Sequence, residues 1–452
     1  MPNSSAIAFG VLGAAASAGF LYLFLTSKPS AARRVTRGLC GLYNLGNTCY
    51  ANALIQGLSS IPSLVNWLRR LHFDEDETRF LKELRKLVLD LDAAADATLS
   101  AHDVSEALRS HGWTIGHGVE QDLHELFNVF STTWEEELGW TIEKRMSTGL
   151  LEVRELSEET RSREVLAMER CSTAVRLQSV LRAPSQGILA ERIKCAVPGC
   201  SYKRIKHEAC SVIPVKITKT LQGMRALRVE ALLRDHFRME VIRGASCDEC
   251  KKRCGRTDSG LLKQAGFAKL PPALIIRIER LGWLPSGACY KIDDHVDFAE
   301  TLDVRDFCFY RSKEADYDRS AAESRTPERT SRIVGGCAGN AARAAFGDSA
   351  GNGGAAPALG ALPFKAYATI DGGSFVAENV AAARYRYQLR AVSEHKGLAE
   401  SGHYLTYRRG LGANSHVWYL TNDSQVTRVP YSKVAGAQAY MLYYERMRVP
   451  RQ

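Results

Sequence analysis

The spacing of apolar residues changes from helical to strand-like along the chain. Apolar residues recur three and four apart in residues 51–71, 80–91 and 121–130, which predicts helices with one buried face. After about residue 187 the apolar runs are shorter and rich in β-branched and aromatic residues, which predicts strands. These strand-like runs are residues 211–217, 273–278, 384–391, 404–407, 417–421 and 440–444. Helices first and strands later predict an α+β fold.

The N-terminus contains one uncharged apolar stretch, residues 6–25. A helix of this length spans a hydrocarbon core of about 30 Å, because each residue adds about 1.5 Å. Four basic residues follow it within residues 26–37, and none precedes it. A cleaved signal peptide has the opposite charge order, so we predict a transmembrane anchor with the rest of the chain in the cytosol. A cleaved signal peptide and a buried N-terminal helix are the alternatives.

The composition excludes several classes of protein. Hydrophobic residues make up 45% and charged residues 24%, which excludes wholesale disorder, collagen and multi-span membrane proteins. A net charge of +10 is mild for 452 residues, so nucleic acid is not a predicted partner. The 12 cysteines do not form the dense pattern of a short secreted disulfide scaffold. We expect them to be reduced thiols, metal ligands or a nucleophile.

Residues 312–362 differ in composition from the rest of the chain. Their first part is charged and rich in Ser and Arg, and Gly and Ala make up 17 of the 26 residues from 335 to 360. Such a segment buries too little apolar surface to offset its ordering entropy, so we predict a disordered insertion. The predicted organisation is a short tail at 1–5, the anchor at 6–25, a basic linker at 26–37, one large domain at 38–446 containing the insertion, and a C-terminal tail at 447–452.

Cys49 stands directly before the first predicted helix. Free N–H groups and the helix dipole at that place favour a thiolate, the nucleophilic form of cysteine. Asn44 offers an amide N–H group that can donate to an oxyanion. A cysteine nucleophile also needs a histidine base and a third group that orients the base. His403 offers the base, and Asn422 or Asp423, after the next predicted strand, offers the orienting group.

These segments together resemble the ubiquitin-specific protease family. Residues 41–57 (GLYNLGNTCYANALIQG) are similar to its cysteine box, and residues 401–408 and 418–424 are similar to its histidine box and the strand behind it. Three further segments resemble other elements of the family: residues 121–126 the Gln-Asp-x-x-Glu element, residues 273–303 the central stretch that includes Arg280 and Lys291, and residues 440–444 the closing strand. The resemblance runs discontinuously from about residue 38 to residue 446.

The resemblance implies a papain-like fold of thumb, palm and fingers that hydrolyses the isopeptide bond between ubiquitin's C-terminal glycine and a lysine. Cys49 would attack the carbonyl carbon, and His403 would deprotonate Cys49 and later protonate the leaving amine. Asn44, with the backbone N–H of Cys49, would hold the oxyanion. Asn422 would orient His403, and Asp423 is the alternative for that role.

Substrate contacts are also implied by the resemblance. Asp122 and Glu125, one helical turn apart, would grip the Arg-rich tail of ubiquitin, and Tyr404 would contact the substrate beside the catalytic histidine. A solvated helix face is the alternative for the acidic pair. His395 and His416 are alternative bases, but neither stands in the Gly-His-Tyr context of the histidine box.

Two cysteine pairs predict a zinc site. Cys195 and Cys200 are separated by four residues, Cys247 and Cys250 by two, and the pairs by 46 residues. Two hairpins can bring such pairs together as a tetrahedral Cys₄ site, which members of the family often carry at the tip of the fingers. The zinc would be structural, and no catalytic cofactor is implied. Reduced cysteines that pack as small apolar side chains are the alternative.

The predicted partners are ubiquitin, ubiquitinated membrane proteins and the lipid bilayer around residues 6–25, with the chain a monomer. Together with the anchor, the resemblance implies an enzyme on the mitochondrial outer membrane that faces the cytosol and opposes mitophagy. The anchor composition leaves a peroxisomal address open. A catalytically inactive ubiquitin-binding adaptor and an unrelated papain-like peptidase are alternative functions. The presence of Cys49, Asn44 and His403 disfavours the adaptor.

Overall fold

The structure is a computed structural model, and part of the chain lies outside what it describes. The described residues are 38–73, 79–93, 97–113, 122–139, 182–218, 227–257, 259–309, 384–398 and 401–447. The predicted anchor, the basic linker and the predicted insertion at 312–362 lie outside them. None of the helices in the described ranges has the length and apolar character needed to cross a membrane.

The helices and strands of the described residues follow the predicted order. The helices are α1 (Cys49–Ser59), α2 (Pro62–Arg70), α3 (Arg79–Ala93), α4 (His102–Ser110), α5 (Leu123–Glu137), α6 (Val229–His236), α7 (Asp248–Cys254) and α8 (Tyr431–Ala435). The strands are β1 (Gly41–Leu42), β2 (Thr98–Leu99), β3 (Gly187–Cys195), β4 (Lys203–Cys210), β5 (Ile213–Lys216), β6 (Glu240–Ile242), β7 (Leu261–Lys269), β8 (Ala273–Glu279), β9 (Leu281–Trp283), β10 (Cys289–Lys291), β11 (Thr301–Asp303), β12 (Arg386–Gly397), β13 (Gly402–Arg409), β14 (Trp418–Asn422), β15 (Gln425–Val429) and β16 (Ala439–Arg446). The α+β prediction is confirmed.

Helices α1 to α5 pack together through their apolar faces, and we call this unit the thumb. Aromatic side chains fill its core, with the rings of Phe80 and Phe130 at 5.0 Å in an edge-on arrangement. The continuous apolar pattern over residues 51–71 corresponds to two helices. The chain breaks at Pro62 because proline lacks the N–H of a helix interior but fits the first turn, where it begins α2.

An eight-stranded sheet, which we call the palm, packs against the thumb. Its strand order is β15-β14-β13-β12-β16-β8-β5, with β11 also paired to β12. Successive residues of β16 alternate between two cores: Met441 and Tyr443 belong to the core shared with the thumb, and Leu442 and Tyr444 to the core that includes α6. Because both faces are covered, this strand reads in the sequence as an unbroken apolar run.

A smaller sheet forms the fingers, with four antiparallel strands in the order β4-β3-β7-β6. The helix α7 lies between β6 and β7 in the chain. No residue of β4 is fully buried, and five of its eight residues are Lys, Arg, His or Glu. The apolar pattern therefore does not predict this strand.

Arg408 fixes the thumb to the palm. Its buried guanidinium, on β13, donates to the hydroxyl oxygen of Ser59 on α1 at 2.6 Å, and to both carboxylate oxygens of Asp92 on α3 at 3.1 and 3.0 Å. The same helix begins at Cys49, and the same strand carries His403 near its start. This contact therefore helps to set where these two residues lie relative to each other.

Candidate active site

Cys49 is the first residue of α1, where the sequence places a nucleophile. The loop before it folds around the side chain of Asn44, whose carbonyl oxygen accepts from the backbone N–H groups of Gly46 and Thr48, both at 3.1 Å. The hydroxyl of Thr48 in turn accepts from the N–H of Leu45 at 2.8 Å. The cysteine side chain is 6% exposed. Local hydrogen bonds therefore hold the thiol at the helix start.

His403 forms hydrogen bonds with both Cys49 and Asn422. Its Nε2 lies 2.6 Å from Oδ1 of Asn422, which leaves Nδ1 for the sulfur. The bond to Cys49 is the main cause that raises the pKa of His403 to about 9; burial of the ring opposes the rise and Asn422 supports it. At neutral pH the imidazole is therefore protonated, and it is in hydrogen-bond contact with the sulfur of the candidate nucleophile.

Asp423 does not hydrogen-bond His403, although the sequence offers it as an alternative orienting residue. Its two carboxylate oxygens accept from the side-chain amides of Asn44 at 3.0 Å and Asn52 at 2.8 Å. It acts on His403 only through its charge, which is a minor cause of the raised pKa. The structure thus places Asn422 against the histidine and Asp423 against Asn44.

The contact with Asp423 leaves one amide hydrogen of Asn44 available, since an NH₂ group carries two. An oxyanion at this site could accept from two donors, that hydrogen and the backbone N–H of Cys49. The N–H of Cys49 has no acceptor within the helix because it lies at the start of α1. Asn52 is a further residue of this network that the motifs do not predict. The feature of the sequence that could have indicated it is a polar residue within a buried helix, three positions after the cysteine.

Gly41 allows the cysteine loop to lie directly on the turn that carries Asn422 and Asp423. A Cβ atom on Gly41 would lie 2.3 Å from the carbonyl oxygen of Ser424. The next residue, Leu42, donates its N–H to the carbonyl oxygen of Asp423 at 2.9 Å. This close approach joins the two halves of the site.

The two alternative bases lie elsewhere. The ring of His395 packs on Tyr404, with centroids 4.5 Å apart, and burial together with the charge of Lys291 lowers its pKa to about 4. His416 is exposed and precedes Trp418, which pairs with Arg409 at the far end of β13. Of the three histidines, His403 is the one that meets Cys49.

Asp122 and Glu125 differ in their surroundings. One oxygen of Asp122 accepts from the backbone N–H groups of His124 at 2.8 Å and Glu125 at 3.1 Å, which caps the start of α5. Its other oxygen accepts from the hydroxyl of Tyr440, which also accepts from Nε of Arg277 at 3.1 Å. Glu125 is exposed. Asp122 is therefore engaged with the protein, whereas Glu125 faces solvent.

Changing Asp122 to alanine is expected to lower the free energy of unfolding by about 1 kcal/mol, because the helix cap is lost. Changing it to asparagine should cost far less, since asparagine caps as well as aspartate. Denaturant unfolding checks this, with Glu125→Ala as the control because an exposed side chain contributes little. Equal losses in the alanine and asparagine variants would contradict the capping role.

Tyr404, the predicted substrate contact, is 8% exposed. Its ring meets that of Tyr440 edge-on at 5.8 Å, and burial raises the pKa of its hydroxyl. The tyrosine therefore belongs to a wall of aromatic rings that runs from His395 to the start of α5. A small part of the residue remains exposed to solvent.

The four predicted metal ligands converge at the tip of the fingers. The sulfurs of Cys195, Cys200, Cys247 and Cys250 all lie within 4.8 Å of one another. Two of the separations are 3.6 Å, from Cys195 to Cys250, and 3.7 Å, from Cys200 to Cys247. Four thiolates bound to zinc at about 2.3 Å in a tetrahedron lie about 3.8 Å apart. The set therefore fits a zinc ion.

Comparison with known proteins relates the whole chain to one family. The family model described as ubiquitin carboxyl-terminal hydrolase matches residues 40–444. The chain is 27% identical to "Ubiquitin carboxyl-terminal hydrolase 30" of Xenopus tropicalis over 97% of this chain and 87% of that protein. It is 28% identical to the protein of the same name from Mus musculus, over 97% of this chain and 90% of that one.

Solved structures show the same fold. The ubiquitin-aldehyde complex of the SAGA Ubp8/Sgf11/Sus1/Sgf73 DUB module superposes with a TM-score of 0.57 at 18% identity, covering 100% of this chain and 77% of that chain. The family match contains both Cys49 and His403, and it confirms the resemblance and the fold predicted from the sequence. The chain therefore belongs to the ubiquitin carboxyl-terminal hydrolase family and is a deubiquitinating thiol protease.

Proposed function

We propose that Cys49, His403, Asn422 and Asn44 hydrolyse the isopeptide bond between ubiquitin's C-terminal glycine and a lysine. The observation that carries this proposal is the hydrogen bond between Cys49 and a histidine whose pKa is raised to about 9. A thiolate–imidazolium pair provides both the nucleophile and the acid that amide cleavage needs.

In the first half of the reaction, the Cys49 thiolate attacks the glycine carbonyl carbon and a C–S bond forms. The oxygen becomes an oxyanion that accepts hydrogen bonds from the side chain of Asn44 and the backbone N–H of Cys49. His403 then gives its proton to the lysine nitrogen. The C–N bond breaks, the amine leaves, and ubiquitin remains on the enzyme as a thioester.

In the second half, the now neutral His403 takes a proton from a water molecule as that water attacks the thioester carbon. The C–S bond breaks, and the ion pair of Cys49 and His403 is restored. Ubiquitin leaves with a free C-terminal carboxyl group, which loses the remaining water proton to solvent at neutral pH. Asn422 accepts from the ring N–H of His403 throughout, so the other nitrogen stays directed at the reacting atoms.

Ubiquitin with a C-terminal electrophile tests this function. The wild-type protein should form a covalent adduct of one ubiquitin per chain, and Cys49→Ala should form none. Cys254→Ala is the matched control. Cys254 is an exposed thiol at the end of α7 in the fingers, and it is not part of the site formed by Cys49 and His403. Binding of ubiquitin without an adduct would instead support the inactive adaptor.

The tail of ubiquitin would lie between the start of α5 and β13. The exposed carboxylate of Glu125 would attract the tail's arginines, with the charge of Asp122 behind it, and Tyr404 would line the path to His403. Acidic groups one helical turn apart suit a basic extended peptide. The proposed enzyme acts as a monomer on ubiquitinated membrane proteins.

The proposed location is the mitochondrial outer membrane, with residues 6–25 as the anchor and the catalytic domain in the cytosol, where removal of ubiquitin would oppose mitophagy. The support is the uncharged stretch followed by four basic residues. A fluorescent protein fused to residues 1–40 tests the address: a diffuse cytosolic signal would contradict the anchor, and a peroxisomal signal would correct the location.

The proposed zinc site gives a prediction of its own. Elemental analysis should find one zinc per chain in the wild type and less than a tenth of that in Cys247→Ser, with a lower melting temperature, because zinc bound at such sites stabilises the fold. Cys289→Ser is the control, since this partly exposed thiol on β10 is outside the cluster. A zinc-free wild type that is indifferent to chelators would contradict the site.

A further inference from the structure

Lys291 has no part in the steps above, yet it reaches the hairpin that carries His403. It is the last residue of β10, and its ammonium donates to the backbone carbonyl oxygens of His395 and Gly397, both at 2.8 Å. Both acceptors belong to the end of β12. A lysine side chain that bonds two backbone groups of one strand end acts on the backbone of that strand.

The two carbonyl groups flank the residue that pairs with His403. In the β12–β13 ladder, His395 pairs with Tyr404, Lys396 with His403, and Gly397 with Gly402. The ammonium of Lys291 thus holds β12 on each side of the position opposite the histidine.

On its other side, no strand of the described residues pairs with β12 at this point. Its pairing with β16 ends at Glu394 and Ala439, so the residues beyond Glu394 have no β16 partner. Lys291 supplies donors to that side of β12 just where the strand neighbour stops. Without those donors, β13 would be the one described strand that holds this end of β12, and strand ends with few hydrogen bonds open readily.

Tight packing carries the position of β12 to β13. A Cβ atom on Gly402, the residue before His403, would lie 2.3 Å from both Nε2 of His395 and the carbonyl oxygen of Lys396. The ring of His395 also packs on Tyr404, the residue after His403. A shift of β12 at His395 would therefore displace both neighbours of the catalytic histidine.

We infer that Lys291 is a positioning residue for His403: it replaces the missing strand neighbour of β12 and keeps the imidazole in line with Cys49 and Asn422. This inference rests on the proposed role of His403. Lys291 acts through the backbone and contacts neither the substrate nor the reacting atoms.

Lys291→Met and Lys291→Arg test the inference, because methionine keeps an unbranched chain without donors and arginine keeps the donors. With a fluorogenic ubiquitin amide, Lys291→Met should lower kcat about 10- to 100-fold, since displacement of a catalytic group by about 1 Å costs on the order of 10²-fold. KM should change less than about twofold, because the ubiquitin contacts remain. Lys291→Arg should recover most of the kcat.

A second measurement separates positioning from general destabilisation. Iodoacetamide alkylation of Cys49 at pH 6, without ubiquitin, reports the thiolate that His403 maintains, and its rate should fall in Lys291→Met and recover in Lys291→Arg. The matched control is Lys396→Met, on the same strand, whose side chain is 57% exposed and lies 3.7 Å from Glu394. Its kcat and alkylation rate should equal those of the wild type.

Three results would overturn the inference. The first is an unchanged alkylation rate in Lys291→Met, and the second is an equal loss of kcat and alkylation rate in Lys396→Met. The third is a Lys291→Arg variant that melts at the wild-type temperature but recovers neither kcat nor the alkylation rate. The proposed function fails separately, if wild-type protein forms no adduct with the ubiquitin electrophile. The alkylation comparison still tests Lys291 in that case, because it requires only Cys49 and His403.

Discussion

Replacing His403 with alanine is expected to lower kcat for a fluorogenic ubiquitin amide by about 10³-fold, within the range for loss of a general acid and base. The variant loses both the cation that stabilises the Cys49 thiolate and the acid that protonates the leaving amine. Iodoacetamide alkylation of Cys49 at pH 6 should slow as well, because the thiolate is no longer paired. A variant that turns over at more than a tenth of the wild-type rate would contradict the assignment of His403 as the base.

The ion pair also predicts a titration. The Cys49 bond raises the pKa of His403 to about 9, so the imidazole should keep its proton through neutral pH and lose it only near pH 9. This raised pKa contributes folding stability that is fully present below the ordinary value of 6.5 and lost as pH rises through about 9. In Cys49→Ala the largest cause of the rise is gone, and NMR should show the pKa falling toward 6.5. A wild-type titration near 6.5 would contradict the ion pair.

Replacing Asp423 with alanine is expected to lower kcat by about 10²-fold, comparable to loss of one oxyanion donor. The physical reason is that the Asp423 carboxylate holds the side-chain amide of Asn44, at 3.0 Å. The pKa of His403 should fall little, since the charge of Asp423 is the least of its causes. Asn422→Ala should also lower kcat, but with a clear fall in the pKa of His403, because it removes a direct hydrogen bond.

A double-mutant cycle separates the two roles. If Asp423 acts through Asn44, the Asn44→Ala/Asp423→Ala enzyme should be about as slow as Asn44→Ala alone, because the second change removes nothing further. The same cycle between Asn422 and Asn44 should give nearly additive losses in activation free energy. Additive losses in the first cycle would instead show that Asp423 acts independently of Asn44.

The sequence predicts the elements whose side chains face a large core. The apolar repeat indicates α3 and α5, and the unbroken apolar runs indicate β8 and β16. It does not indicate β4, because neither face of that strand is fully covered and charged residues occupy most of it. The periodicity of apolar residues reflects the burial of side chains. A strand that is held mainly by backbone hydrogen bonds therefore shows little of it.

The sequence predicts which residue types form the candidate site and where they stand in the chain, but it does not predict how they contact one another. Cys49 and His403 meet as the motifs indicate, but the division of labour between Asn422 and Asp423 depends on a turn. Asp423 has a φ of +48° in the hairpin between β14 and β15, and its side-chain contacts with Asn44 and Asn52 join residues more than 370 positions apart in the chain. The contacts of Lys291 depend on where β16 stops pairing, which is a long-range property.

The position of Leu39, near the start of the folded domain, bears on which substrates a membrane-anchored enzyme would reach. Leu39 packs on Val417 and Tyr419, at the edge of the palm and ten residues before Cys49. With the proposed anchor at 6–25, the linker at 26–37 spans at most about 40 Å. Such a tether would raise the effective concentration of conjugates on the same surface and would give freely diffusing conjugates no advantage. Selectivity for substrates would then come from shared confinement in two dimensions, without any contact with the modified protein.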